Sequence, residues 1–235
     1  MPDQLLSLHH VGCRYKIRNK RFSFSHFEAL KDVSFSIFKG ETLGIVGQNG
    51  AGKSTLLKLI SGILLPNRGE VVYHRQVTVS LLSLQMGFSP ELSGRDNAIM
   101  GAMLLGYSKA EALEHLDAII EFAELRERIK DPLKTYSTGM KARLGFAVAM
   151  KMNPDILLVD EALGVGDAAF REKSTKVMKE KMKSGQTVVF VSHQDHAVKS
   201  LCSRAAWLDR GVIRCIGDVE YVLEAYQQDM KQKNR

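Results

Sequence analysis

The stretch "GIVGQNGAGKSTLLKLISG", Gly44 to Gly62, sets Gly47, Gly50, Gly52 and Lys53 between an apolar run and a helical pattern. Upstream, "TLGIVG" reads as a short buried strand. Downstream, Leu56, Leu57, Leu59, Ile60 and Ile63 recur at helical spacing. Gly47, Gly52, Lys53 and Ser54 satisfy G-x-x-x-x-G-K-[ST], and the strand before and helix after supply the context that makes the pattern specific. Glycines let successive N–H groups of Gly47, Gln48, Asn49, Gly50, Ala51 and Gly52 curl around phosphate oxygens, and the helix N-terminus adds its positive dipole end. Lys53 supplies a point charge, and Ser54 a hydroxyl for Mg²⁺.

Other strand ends point to the same chemistry. "DILLVDEA" is a buried strand ending in Asp160, suited to a metal, and Glu161, suited to polarising an attacking water. The plain alternative is two acids closing a strand. His193 follows "VVFVSH" and reaches the ligand edge of the same sheet. His196 makes a His-x-x-His with it, but no third ligand is in view, so zinc is not expected and His196 is read as surface.

"TYSTGMKARLGFAVAM" leads into a helix with Ser137, Thr138 and Gly139 where small residues expose N–H groups to an anion. A second phosphate device makes sense if it closes over the nucleotide of another chain, giving a head-to-tail dimer with two shared sites. The alternative is an ordinary Ser N-cap.

The rest of the chain arranges these parts. Two β-prone segments flank "KIRNKRFSFSHFE", Lys16 to Glu28, whose basic residues interleave with Phe22, Phe24 and Phe27 as in an extended hairpin arm. "GEVVYHRQVTVSLLSL" returns to a strand pattern. After the turn-rich "GFSPELSGRDN", Ser108 and Glu111 form a capping box before "ALEHLDAIIEFAEL". Strands then alternate with helices to the end, which argues for an α/β fold with a mostly parallel sheet. We expect a single domain over 1–235, a helical subdomain inserted at 96–150 and a short helical tail at 217–235.

With 45% hydrophobic and 25% charged residues, the 235-residue chain has an ordinary globular composition. The formal charge of +7 fits an anionic partner or simply surface lysine. No stretch has the ~18 apolar residues of a spanning helix, and the opening "MPDQLLSLHH" lacks the basic, apolar and small-residue pattern of a secretion signal, so none is expected. Cys13, Cys202 and Cys215 are unclustered and receive no chemistry.

In these residues the chain resembles the ATP-binding subunits of ABC transporters, over nearly its whole length. "GQNGAGKST" looks like Walker A, to Thr55, and Gln85 like the Q-loop residue, a metal contact. "YSTGM" looks like a variant signature, "ILLVDE" like Walker B, Asp167 like the D-loop aspartate and His193 like the H-loop switch. The wording "EALGVGDAAF" and the signature variants Thr138 and Met140 are similar to exporters of lipid-linked O-antigen, capsule and teichoic acid polysaccharides. The resemblance implies a P-loop NTPase core with an N-terminal antiparallel β subdomain. It implies ATP and Mg²⁺ as cofactors, and hydrolysis carried by Glu161 and His193. It also implies a homodimer under an integral membrane permease dimer at the cytoplasmic face of the inner membrane, a polysaccharide cargo met mainly by the permease, and no nucleic acid. An aromatic after the first strand stacks on adenine in this family. Tyr15 fits that place, with Phe22 or Phe24 as competitors. The tail "DVEYVLEAYQQDMKQKNR" resembles the short form, without a carbohydrate-binding domain. The competing readings are a non-transport ABC ATPase acting on nucleic acid or ribosomes, and a regulatory module that binds ATP without turnover.

Overall fold

The computed structural model describes residues 3–18, 24–82, 87–160 and 167–233, so Gln85, Glu161 and Phe22 lie outside the described residues. The chain divides into two compact units, Met1–Val77 with Met182–Arg235, and Thr78–Lys181.

In the first unit, strands β1 (Gln4–Arg18) and β2 (Phe24–Phe38) pair antiparallel from Gln4↔Phe38 out to Arg18↔Phe24. Their inner halves bury Leu5, Leu6, Leu8, Val33 and Ile37, and their outer halves run into solvent as a ribbon. Strand β3 (Thr42–Val46) is buried at all five positions, and so is β7 (Thr187–Val191). That is the signature of parallel strands covered on both faces. β3 lies parallel to β7 on one side and to β8 (Arg204–Asp209) on the other. β4 (Arg68–Tyr73) flanks β1, and β9 (Val212–Gly217) turns back along β8. The strand order in this unit is β4-β1-β2-β9-β8-β3-β7.

Helix α1 (Lys53–Ile60) follows β3 and buries Leu56, Leu57, Leu59 and Ile60. The apolar spacing suggested that Ile63 continues this helix. Instead α1 stops at Ile60, Gly62 turns the chain with a φ of 72°, and Ile63 is 45% exposed. Helices α7 (Asp195–Leu201) and α8 (Val219–Lys233) complete the unit. Trp207 of β8 meets Tyr226 of α8 edge to face at 5.9 Å. Packing against the tail is thus the use of the lone tryptophan.

The second unit pairs β5 (Val79–Leu81) with β6 (Ile156–Asp160) in parallel. Its helices are α2 (Gly94–Leu104), α3 (Lys109–Glu114), α4 (Leu116–Ala123), α5 (Thr138–Met152) and α6 (Ala168–Lys183). The Ser108–Glu111 capping box forms as expected. The helical segment behind it divides at His115, which ends α3 and opens α4. Phe122, Phe146 and Phe170 make a three-ring core with centroids 5.7 to 6.0 Å apart. Among the described residues, no helix is long and apolar enough to cross a membrane.

One buried amide organises the turn-rich segment before α2. Asn97 has no exposed surface. Its Oδ1 accepts from Ser89 N at 2.7 Å, while its Nδ2 donates to the carbonyls of Ser89, Leu92 and Ser93 at 2.9 to 3.1 Å. Asn97→Ala leaves the Ser89 amide without its acceptor, while the carbonyls of Ser89, Leu92 and Ser93 keep backbone donors in Leu92, Leu133 and residue 97 itself. We expect it to lower stability by about 1 to 3 kcal/mol, read as the shift in the urea unfolding midpoint. An unchanged midpoint would show that water replaces the side chain.

Candidate functional site

β3 delivers the chain to Gly47 at the edge where parallel strands end. Gly47 to Gly52 then loop over that edge before α1 begins at Lys53. Two of the glycines are fixed by their neighbours. A Cβ on Gly47 would lie 2.1 Å from the Leu208 carbonyl oxygen. One on Gly52, whose φ is 110°, would lie 2.6 Å from the Ala29 carbonyl oxygen. The loop is therefore clamped between β8 and β2, with no room for a side chain at either hinge.

Lys53 is 8% exposed and curls back over the loop. Its ammonium donates to the Gly47 carbonyl at 2.7 Å and to the Gln48 carbonyl at 3.0 Å. Gln48, Asn49, Gly50 and Ser54 are exposed. α1 has neither a side-chain cap nor an acidic residue in its first turn. Its N-terminal dipole and the lysine charge thus act together on an approaching anion.

Tyr15 stands beside this loop, and its hydroxyl shares a 3.2 Å hydrogen bond with Thr55 Oγ1. In the β1–β2 ribbon Tyr15 pairs directly with Phe27, so those rings share a face. Arg18 pairs with Phe24 and Lys16 with His26 on the opposite face, where Lys16 Nζ sits 4.0 Å from the Phe24 ring centroid. Phe24, a competitor for the base-stacking role, therefore points away from the Tyr15 side. Phe27, which shares that side, was not weighed for the role. The signal that finds it is strand parity, which requires the pairing register. His193 leaves β7 at the same edge as the loop, since Ile45 pairs with Val191 in the parallel ladder, and His193 is exposed.

The second unit carries the other expected residues. Asp160 closes β6 and is partly exposed. Ser137 is the N-cap of α5, its Oγ accepting from Met140 N at 3.1 Å, and Thr138 and Gly139 begin the helix. No acid lies in that first turn. Asp167 opens α6, accepting from Phe170 N at 3.0 Å, and lies 3.5 Å from Arg143 of α5. The Phe170 amide, followed by the Arg143 charge, holds its carboxyl below the usual range. Arg143, which the sequence reading passed over, ties the Asp167 turn to the helix that Ser137 caps. Burial pushes the Cys202 thiol up to about 12 and raises Cys13 and Cys215, in keeping with thiols that do no chemistry.

The profile of the ABC transporter family matches residues 30–164. The chain belongs to the ABC transporter family. It is an ATP-binding subunit of that family, and its activity is that of an ATPase. It is 42% identical over 229 residues to the O-antigen export system ATP-binding protein RfbB of Klebsiella pneumoniae, covering 94% of this chain and 93% of that protein. It is 43% identical to the teichoic acids export ATP-binding protein TagH of Bacillus cereus over 88% of this chain but 37% of that one. Among solved structures, a dimeric ATP-binding cassette in a post-hydrolysis state bound to ADP and Pi shares the fold. Its TM-score is 0.73 at 24% identity, over 92% of this chain and 99% of that one.

The clamp on the loop yields a prediction. Gly52→Ala forces a Cβ against the Ala29 carbonyl at a φ unfavourable for alanine. It should cost about 1 to 3 kcal/mol of stability, and ATP affinity should fall at least about tenfold as the loop opens. Unfolding curves and calorimetric titration with ATP check both effects. Parental affinity would show that the loop tolerates a displaced hinge.

Proposed function

We propose that this chain is the ATP-hydrolysing subunit of an exporter of lipid-linked polysaccharide. Two copies work beneath an integral membrane permease dimer at the cytoplasmic face of the inner membrane. The observation that carries the reading is the phosphate loop clamped at Gly47 and Gly52 with Lys53 folded over it. It lies in a chain similar over nearly its full length to an O-antigen export ATP-binding protein.

In this reading residues 1–235 act as one cassette, with 96–150 as its inserted signature part and 217–235 as its tail. The amides of Gly47 to Gly52 and the Lys53 ammonium hold the β- and γ-phosphates, and Thr55 supports Tyr15 under the base. Lys53 is already held by two carbonyls, so the phosphate competes for a positioned cation instead of ordering a free one. The donors fit Mg²⁺, which takes one or two protein oxygens and completes its shell with phosphate and water. Ser54 and Asp160 would hold it, with Gln85 as a further contact, and it would neutralise charge on the transferring phosphoryl group. Glu161 orients the attacking water and takes its proton, and His193 meets the γ-phosphate side. Ser137, Thr138 and Gly139 complete the nucleotide site of the other copy, with Asp167 at the same junction.

Two substitutions separate these roles. Glu161→Gln should bind ATP like the parent and hydrolyse it at least about a hundredfold more slowly, with the ATP-bound dimer accumulating in sedimentation runs. Near-parental turnover would remove Glu161 from catalysis. Ser137→Arg should abolish steady-state hydrolysis yet leave ATP affinity of the dilute monomer intact, after a loss of about 1 kcal/mol of stability from the missing cap. Loss of monomer binding would assign the signature to its own chain's nucleotide. In cells lacking the gene, surface polysaccharide should fall while its lipid-linked form accumulates inside, and the parent but not Glu161→Gln should restore export. Normal surface polysaccharide in the deletion would refute the export reading.

A further inference from the structure

The outer β1–β2 ribbon carries two unlike faces. On one, Tyr15, Ile17 and Phe27 stand together, because Tyr15 pairs with Phe27 and Ile17 lies two residues along the same strand. On the other stand Arg14, Lys16, Arg18 and His26, with Phe24 under the Lys16 ammonium. Phe24 thus has a cationic partner on its own face. Phe24, Phe27 and Ile17 are 51%, 50% and 46% exposed, and of these Phe27 and Ile17 stand on the Tyr15 face of a strand pair that has left the core.

That apolar face is continuous with the phosphate loop. Tyr15 ties it to Thr55, two residues beyond Lys53. Directly paired residues on such a ribbon hold their Cβ atoms about 4.5 to 5.5 Å apart. The Phe27 ring therefore begins within one side-chain width of the Tyr15 ring, on the side where a nucleotide anchored by its phosphates would extend its base.

We propose that Phe27, with Ile17 beside it, is a second base-contacting element. Tyr15 stacks on the ring of the nucleotide, and Phe27 closes against its outer edge. The resemblance to the family assigns one aromatic to the base, and the long arm of this chain adds a second from the opposite strand. The inference rests on the nucleotide reading above. It assigns to Phe27 a contact that depends on the presence of a base and not on the phosphates. Rings of this kind add contact area without hydrogen bonds to base edges, so the wall should serve ATP and GTP alike.

The test is calorimetric titration of the full chain with MgATP and with inorganic tripolyphosphate. Phe27→Ala should weaken ATP by about three- to tenfold and leave tripolyphosphate unchanged. Phe24→Ala, on the other face, should change neither. Phe27→Trp adds a direct reading, since the parent has one tryptophan. ATP, and not tripolyphosphate, should alter the added emission above the Trp207 baseline. If Tyr15→Ala weakens ATP while Phe27→Ala does not and the new tryptophan stays silent, the inference is wrong and the nucleotide reading stands. Equal loss of ATP and tripolyphosphate affinity in Phe27→Ala would mean that the ring supports the phosphate loop, which also overturns it. A parent that binds neither ligand would overturn the nucleotide reading and this inference with it.

Discussion

The Lys53 ammonium is nearly buried and held by the carbonyls of Gly47 and Gln48, and this constraint orders much of the first unit. A charge in that position must be hydrogen-bonded, so the loop has to turn the Gly47 and Gln48 carbonyls inward at its start. Such a path brings backbone against backbone at both hinges, at Leu208 of β8 and Ala29 of β2. Gly211 of the β8–β9 turn adds its own bond, donating to the Ala51 carbonyl at 3.0 Å. The strand order that places β3 beside β8, and β2 close by, therefore fixes the path of the Gly47–Gly52 loop.

The tail is drawn into the same region. Gln48 donates to the Met230 sulfur at 3.1 Å, and Gln227 donates to Asp195, two residues past His193, at 2.6 Å. Buried Asp209, at the end of β8, pairs with Arg214 at 3.1 Å and Lys233 at 3.7 Å. A helix that the sequence presents as a polar tail thus touches the glycine loop at Gln48 and the turn after β7 at Asp195. The second unit follows a parallel logic on a smaller scale. The hydroxyl of Ser137 caps α5, and Arg143 on that helix reaches the carboxylate of Asp167. The plain reading of Ser137 as an N-cap is correct as far as it goes. A cap takes the amide of Met140, and in the proposed dimer the start of α5 meets a phosphate as well.

Much of this was legible in sequence, for identifiable reasons. The G-x-x-x-x-G-K-[ST] spacing is a backbone requirement, and "TLGIV", "ILLVD" and "TVVFV" are short, β-rich apolar runs of the length of strands buried on both faces. The Ser108–Glu111 box appeared because capping is local. What failed depended on distant partners or on single bends. The end of α1 before Ile63 turns on a Gly62 conformation that apolar spacing does not register. The break at His115 interrupts a pattern whose periodicity continues across it. The faces of Phe24 and Phe27 depend on the parity of pairing between two strands, and several register shifts along β1 and β2 hide that parity from the sequence.

In the reading proposed above, the clamped loop and its lysine hold the phosphates of the nucleotide. The most direct measurement is ATP affinity and turnover of Lys53→Ala beside the parent, at matched folded fraction. The account predicts an affinity at least about tenfold weaker, the worth of a charge-assisted hydrogen bond, with turnover at background. A variant that binds and hydrolyses ATP as the parent does would contradict it.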